Sequence, residues 1–356
     1  MCDFSKYGGR SEEWLAVEAG LPLSSVVTGQ AVLERRALVN KGREEIAARV
    51  MESLSGKVRT YDHSIPTRDG QQLEARSYRS TLAGSEGKSP VYMHLHGGGF
   101  LFGTLASEDA ICARIAINTG VVVVNVNYRH TPEFTYPTAW NDVEDAFVWL
   151  HSTVDKLGVD EKQVVVGGIS AGGQLSAALT LGKHLGALGA AARACPPIAG
   201  QVLMIPCLVH MNCYEGHMSR IKDPSVASYV ENENAPILSR DVCMMFLDLL
   251  KVDNPDANDL RLNPGNVPPE KVTGLPPTTI GVAGLDPLRD EGLLYAKMLS
   301  EAGVPTRTHI FKGLPHGFRR FGDQLSETKR WDKVVEDGIQ WALGRPKATG
   351  QFIVEE

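Results

Sequence analysis

From Lys57 onward, short runs of β-branched and aliphatic residues alternate with segments in which apolar residues recur every three or four positions. Runs of the first kind predict strands at 89–96, 121–127, 163–169, 198–205, 278–285 and 306–311. Several are continuously apolar, as strands covered on both faces must be. Segments of the second kind predict helices through Trp140, Val143, Phe147 and Leu150, through Tyr295, Leu299 and Ala302 with Gly303 as C-cap, and through Trp331, Val335, Ile339 and Leu343. Residues 57–65 and 71–78 predict two further strands joined by a turn at TRDG, antiparallel at one edge of the sheet. Such alternation builds a mostly parallel sheet with helices on both faces, the α/β class.

Two regions break the alternation. Residues 1–56 hold a helical stretch in which Ile46, Val50 and Leu54 recur before Gly56. Residues 206–270 separate two strands by more than an ordinary connection, which predicts an inserted subdomain. That insertion carries Met211, Met218, Met244 and Met245, suited to filling a small core or to adapting around a ligand. Its run VCMMFLDLL (242–250) reads as buried all round, which fits a lid against the main domain or a homodimer interface. One α/β domain at 57–205 and 271–356, interrupted by 206–270 and preceded by 1–56, is the expected organisation.

Composition narrows the partners. The 356 residues are 43% hydrophobic and 22% charged, the make-up of an ordinary globular chain. Lys plus Arg number 36 against 42 Asp plus Glu, interspersed, for a net charge of -6, which disfavours nucleic acid as a partner. No stretch nears the roughly 18 apolar residues that a membrane span needs. The opening MCDFSKYGGRSEEWL lacks the apolar core of an export signal, so a cytoplasmic location is expected. Cys2, Cys112, Cys195, Cys207, Cys213 and Cys243 show no CxxC pair and no zinc spacing, and are expected to be buried free thiols.

The chemistry gathers around GGISAGG. Ser170 is the centre of a G-x-S-x-G pentad directly between an apolar strand and a helical run, AGGQLSAALTLGKHL. Glycine fills 36 of the 356 positions, so the pentad is weak by itself and takes its weight from that strand-turn-helix setting. Upstream, HLHGGGF (94–100) ends a strand in three glycines that strand packing does not require. Their backbone N–H groups suit a developing oxyanion, and Gly98, Gly99 and the N–H of Ala171 are the candidate donors. His94 and His96 have no third ligand spaced beside them, so His96 is read as shaping the glycine loop, and no metal or cofactor is expected.

A serine hydroxyl needs a base, and the base needs an orienting carboxylate. His316, in the loop GLPHGF straight after a strand, is the candidate base, whereas His309 lies inside the strand. Asp286 follows the strand TTIGVAGL immediately and is the candidate carboxylate. Asp290 and Glu291, in the first turn of the next helix, are assigned to the helix dipole. Phe100, Leu101, Phe102, Met211, Tyr214, Phe246, Leu288 and Phe318 are candidate substrate contacts from their neighbourhood to these residues.

Together HGGGF (96–100), NYRHTPEFTYPTAWNDVEDAFVWL (127–150), GISAGG (168–173), DPLRDEG (286–292) and HGF (316–318) resemble the α/β-hydrolase fold, and within it the hormone-sensitive-lipase-like carboxylesterases. The resemblance covers 57–345 and implies a cap made of residues 1–56 and 206–270. It implies Ser170 as nucleophile, His316 as base, Asp286 as acid, and Gly98, Gly99 and Ala171 as oxyanion hole, acting on a small or medium-sized, largely apolar ester without a cofactor. Acyl transfer, lactone or amide hydrolysis, or a non-hydrolytic lyase or cyclase acting on a natural product is the alternative. Two departures stand out. Ile169 occupies the position where the family has Asp or Thr, which bears on substrate preference. His130-Thr131-Pro132-Glu133 replaces the common Leu-Ala-Pro-Glu, a change expected to alter the pocket wall.

Overall fold

The computed structural model describes residues 1–21, 30–82, 84 and 87–356. Its centre is a nine-stranded sheet of β1 (Val58–Pro66), β2 (Gln72–Ser80), β3 (Ser89–Leu95), β4 (Val122–Asn127), β5 (Val159–Ile169), β6 (Gly200–Met204), β7 (Thr278–Leu285), β8 (Thr306–Pro315) and β9 (Val354–Glu355). The strand order is β1-β2-β4-β3-β5-β6-β7-β8-β9. β1 and β2 form an antiparallel edge pair, β2 is antiparallel to β4, and every other pairing is parallel. The expected strands, including the edge pair and its TRDG turn, are present within a few residues. The short β9, which has too little sequence to carry a period, is an addition.

Alternation along the strands divides the core into two sides. Tyr92, Val123, Val165 and Val202 point to the face covered by the helices Leu105–Thr119 and Glu327–Leu343, meeting Ile115, Trp331 and Ile339. Val91, Met93, Val124 and Val166 point the other way, onto Val143 and Phe147 of the helix Thr138–Ser152 and Leu175 of the helix Ala171–His184. Further along, Leu203, Ile280 and Val282 meet Leu293 and Leu299 of the helix Arg289–Glu301. All eight residues of β7 are buried, which is why its sequence carries no alternation.

The two irregular regions differ from their expected form. Helix Gln30–Ser53 is present, but Ile46 is 55% exposed while Val32 and Ala47 are buried. Its inner face is partly polar: Arg36, Asn40, Arg43 and Glu44 bond to the loops it crosses, so the apolar spacing misses that face. Nor is 242–250 buried all round. Helix Arg240–Leu249 covers Val242, Cys243, Met245 and Leu247 but leaves Asp248 exposed and Met244 and Phe246 half-buried. The six cysteines are unpaired, with Cys112, Cys213 and Cys243 buried and Cys2, Cys195 and Cys207 only partly so. Among the described residues no helix is long and apolar enough to cross a membrane.

Asp290 and Glu291 lie in the first turn of helix Arg289–Glu301, as expected, and do more than face its dipole. Both are fully buried and tie the insertion to the helix that follows β7. Asp290 accepts from Arg289 Nε at 2.8 Å and from the Ser228 N–H at 2.7 Å. Glu291 accepts from the Leu208 N–H and from the Tyr229 hydroxyl. Arg289, itself fully buried, also donates to Glu231 at 2.8 Å and to the Val226 carbonyl at 3.2 Å. Removing that guanidinium leaves buried carboxylate charge without its counter-ion. Arg289→Met is expected to destabilise the fold by about 3–5 kcal/mol, seen as a lowered denaturant midpoint. A loss of stability below about 1 kcal/mol would show that the insertion is not held by this network.

Candidate active site

β5 ends at Ile169 and a helix begins at Ala171, so Ser170 alone makes the turn between them, at φ 55° and ψ −114°. This is a conformation that L-residues rarely adopt, and its neighbours hold it. The Ser170 N–H donates to the Met204 carbonyl at 2.9 Å, and its carbonyl accepts from Gln174 at 3.0 Å. Gly172 is required for the close approach: a Cβ there would stand 2.0 Å from the Leu95 carbonyl oxygen. The turn thus locks onto the end of β3 as well as β6.

The neighbouring strand ends supply the partners. His316 directly follows β8 and Asp286 directly follows β7. His316 Nε2 lies 2.9 Å from Ser170 Oγ, and His316 Nδ1 lies 2.7 Å from Asp286 Oδ2. With Nδ1–H donating to the carboxylate, Nε2 is left to accept from the hydroxyl. The other carboxylate oxygen, Oδ1, accepts from the Leu288 N–H at 2.9 Å, so Asp286 also caps its own loop. Asn232 of the insertion donates to the Asp286 carbonyl at 3.1 Å. The structure therefore brings together the three residues singled out from sequence.

The glycine loop lies beside them. Gly98 and Gly99 have φ of 140° and 62°, and a Cβ on Gly99 would stand 2.4 Å from the Phe246 ring. The Gly98 carbonyl accepts from the N–H groups of Leu101 and Phe102, which curls the loop. Among the described residues, the N–H groups of Gly98, Gly99 and Ala171 have no backbone partner.

Beneath this loop His96 is fully buried, its ring stacked 4.3 Å from that of Tyr128. His96 Nδ1 faces the Gly97 carbonyl at 3.3 Å, and its Nε2 meets His130 Nε2 at 3.2 Å. Burial holds both imidazoles down, His96 to about 4 and His130 to about 2, so one neutral ring donates to the other. His94 pairs instead with Glu108 at 3.0 Å. His130, half-buried, thus supports the loop through His96. Thr131 donates to the Phe100 carbonyl at 2.8 Å, and Glu133 pairs with Arg36.

Of the residues proposed as substrate contacts, several serve the core. Phe318 is fully buried against Phe311 and Trp331, where it props the His316 loop. Phe100 stacks on Trp140, and Tyr214 packs on His217 and Tyr229 within the insertion. Leu288 and Leu101 are buried. Phe246 and Met211 stay partly open, and Phe102 meets Phe246 edge-on at 5.8 Å. Sequence reasoning missed the helix Gln30–Ser53 as a support of the site. Asn40 Oδ1 accepts from the Gly103 N–H at 2.9 Å, Glu44 accepts from Thr104 Oγ1 at 2.7 Å, and Arg36 donates to the Thr131 carbonyl at 3.0 Å. The polar positions 36, 40, 43 and 44, spaced for one helix face, are the signal that could have revealed it.

Comparison with known proteins places the chain in a family. Residues 92–320 match the family model described as alpha/beta hydrolase fold. The chain belongs to the α/β-hydrolase-fold family, in its hormone-sensitive-lipase-like carboxylesterase branch. It is 32% identical to the esterase LipI of Mycobacterium tuberculosis over 80% of this chain and 83% of that one. It is similar to the esterase of Pyrobaculum calidifontis, with a TM-score of 0.76 and 29% identity covering 95% of this chain and all of that one (100%). It is also similar to vibralactone cyclase, with a TM-score of 0.82 and 26% identity covering 95% and 96% of the two chains.

The paired imidazoles make stability depend on pH. An unfolded histidine takes up a proton near 6.5, whereas these rings stay neutral down to about 4 and about 2. Below 6.5 the unfolded chain therefore binds more protons, and stability falls with falling pH, by at most about 2 kcal/mol per ring at pH 5. In His130→Leu the loss of Tm between pH 7 and pH 5 should be smaller than in wild type. An equal loss would show that His130 is protonated in the folded protein.

Proposed function

We propose that Ser170, His316 and Asp286 hydrolyse a carboxylic ester through an acyl-enzyme. The observation that carries this reading is the unbroken relay from Ser170 Oγ through His316 to Asp286, at 2.9 and 2.7 Å, with N–H groups that have no backbone partner at its Ser170 end. His316 Nε2 takes the hydroxyl proton as Oγ attacks the ester carbonyl. The charge on the carbonyl oxygen is met by the N–H groups of Gly98, Gly99 and Ala171, each worth roughly 10²- to 10³-fold in rate. His316 then gives its proton to the departing alcohol. Water repeats the sequence and frees the acid, so every proton has a carrier within the relay.

The substrate in this reading is a small or medium-sized ester with a largely apolar body, received between the glycine loop and a cap of residues 1–56 and 206–270. The half-open Phe246 over Gly99 supports that placement. Relatives named as esterases support hydrolysis over the cyclisation for which one structural neighbour is named.

Ser170→Ala should lower turnover of p-nitrophenyl esters by roughly 10⁴-fold or more, and wild type should take one fluorophosphonate adduct on Ser170. Asp286→Asn should cost about 10⁴-fold through the wrong imidazole tautomer. Undiminished turnover in either variant would sink the assignment. Asn40→Ala releases Gly103 just past the glycine loop and so loosens that loop, and kcat should fall about tenfold with KM little changed. A rise in KM alone would instead place Asn40 in ground-state binding.

A further inference from the structure

Two arginines stand at this site without a carboxylate. Arg43, on the helix Gln30–Ser53, has Nη1 3.5 Å from the Gly97 carbonyl and its guanidinium 5.7 Å from the centre of the Phe102 ring. Gly97 and Phe102 lie at the two ends of the glycine loop. Arg320 reaches back to the other side: its Nε donates to the Gly317 carbonyl at 3.1 Å, and Nη2 lies 2.8 Å from where a Gly317 Cβ would stand. One guanidinium therefore sits against each of the two loops that converge on Ser170.

Their neighbours show how unusual the pair is. Arg36, seven positions before Arg43 on the same helix, pairs with Glu133, and Arg319, next to Arg320, pairs with Asp332. Among the described residues neither Arg43 nor Arg320 makes an ion pair. The acids nearby are engaged elsewhere: Glu108 with His94, Glu44 with the Thr104 hydroxyl, Asp286 with His316. Arg320 is exposed, and the packed residues around it together with the charge of Arg43 draw its guanidinium down to about 10. Arg43 is lowered by burial, with the charge of Glu108 opposing. A half-buried Arg43 and an exposed Arg320 repel one another without a carboxylate between them, and an incoming anion relieves that repulsion. The planar guanidinium fork fits a carboxylate best.

We propose that Arg43 and Arg320 form an anion subsite, and that the preferred substrate is an ester bearing a free carboxylate beside its apolar body. This rests on the ester-hydrolase reading and names its substrate class. The carboxylate docks between the glycine loop and the His316 loop and fixes the position of the ester carbonyl over Ser170.

The test uses two esters that carry a carboxylate, one a half-ester of a dicarboxylic acid with the charge on the acyl side, the other an acylated hydroxybenzoate with the charge on the alcohol side. Each is compared with its uncharged methyl ester. For at least one pair, kcat/KM should favour the carboxylate by about tenfold or more, and that ratio should fall about tenfold in Arg320→Gln and in Arg43→Gln. Neutral esters preferred in both pairs, or a preference untouched by both substitutions, would overturn the subsite and leave ester hydrolysis standing. Calorimetry of the same compounds on Ser170→Ala separates the two readings. Binding that is weakened by adding Arg320→Gln, without turnover by wild type, would uphold the anion subsite and reject the hydrolase reading. No binding to Ser170→Ala and no carboxylate preference in turnover would reject the subsite.

Discussion

The backbone of Ser170 is the constraint on which the site depends. A non-glycine residue at φ 55° costs of order 1–3 kcal/mol and persists only where its surroundings leave no alternative. Here the constraint comes from three strands at once: β5 delivers the residue, the Met204 carbonyl at the end of β6 binds its N–H, and Leu95 at the end of β3 leaves no room for a side chain on Gly172. The result is a hydroxyl at the carboxyl edge of a parallel sheet, facing loops that leave the neighbouring strands. In a doubly wound sheet those loops converge by topology, so His316 after β8 and Asp286 after β7 need only short connections to meet it.

The parts outside the α/β alternation divide the remaining work. Helix Gln30–Ser53 holds the glycine loop through Arg43, the residues just after it through Asn40 and Glu44, and the Thr131 carbonyl through Arg36. The insertion holds the acid loop, where Ser228 donates to the Pro287 carbonyl at 2.6 Å and Asn232 to that of Asp286. Residues near the N-terminus join the insertion to the end of β7. Cys2 exchanges backbone hydrogen bonds with Arg220 and Lys222 at 2.8 Å, and the Tyr7 carbonyl passes over Gly284, where a Cβ would clash at 2.0 Å. In the proposed mechanism, any motion of these covering segments also moves the oxyanion donors or the acid.

What the sequence revealed follows from which signals are local. Buried strands announce themselves as apolar runs, and the Ser170 turn is announced by glycines that nothing else requires, so the sheet and the relay were legible. The inner face of Gln30–Ser53 was not, because it binds through polar side chains, and its apolar residue Ile46 points to solvent. Asp290 and Glu291 looked like ordinary first-turn acids. Their partners, Ser228 and Leu208, lie about sixty and eighty positions away, a pairing that no local period encodes. Phe318 followed the base in sequence and so suggested a contact, yet the left-handed Gly317 turns it inward onto Trp331.

The two departures from the family pattern belong together in space. His130 meets His96 under the glycine loop, and a Cβ on Gly97 would stand 3.2 Å from Ile169 Cγ2, so both departures press on the same loop from different sides. An apolar Ile169 offers the loop no hydrogen bond and can only fix it by contact. A neutral imidazole at 130 adds a polar tie that a leucine could not make, reaching Gly97 through His96. In the proposed mechanism the pair therefore bears on where the N–H groups of Gly98 and Gly99 stand relative to Ser170. On this argument an exchange at either position alone disturbs transition-state stabilisation before substrate choice, because the side chains touch the donor loop.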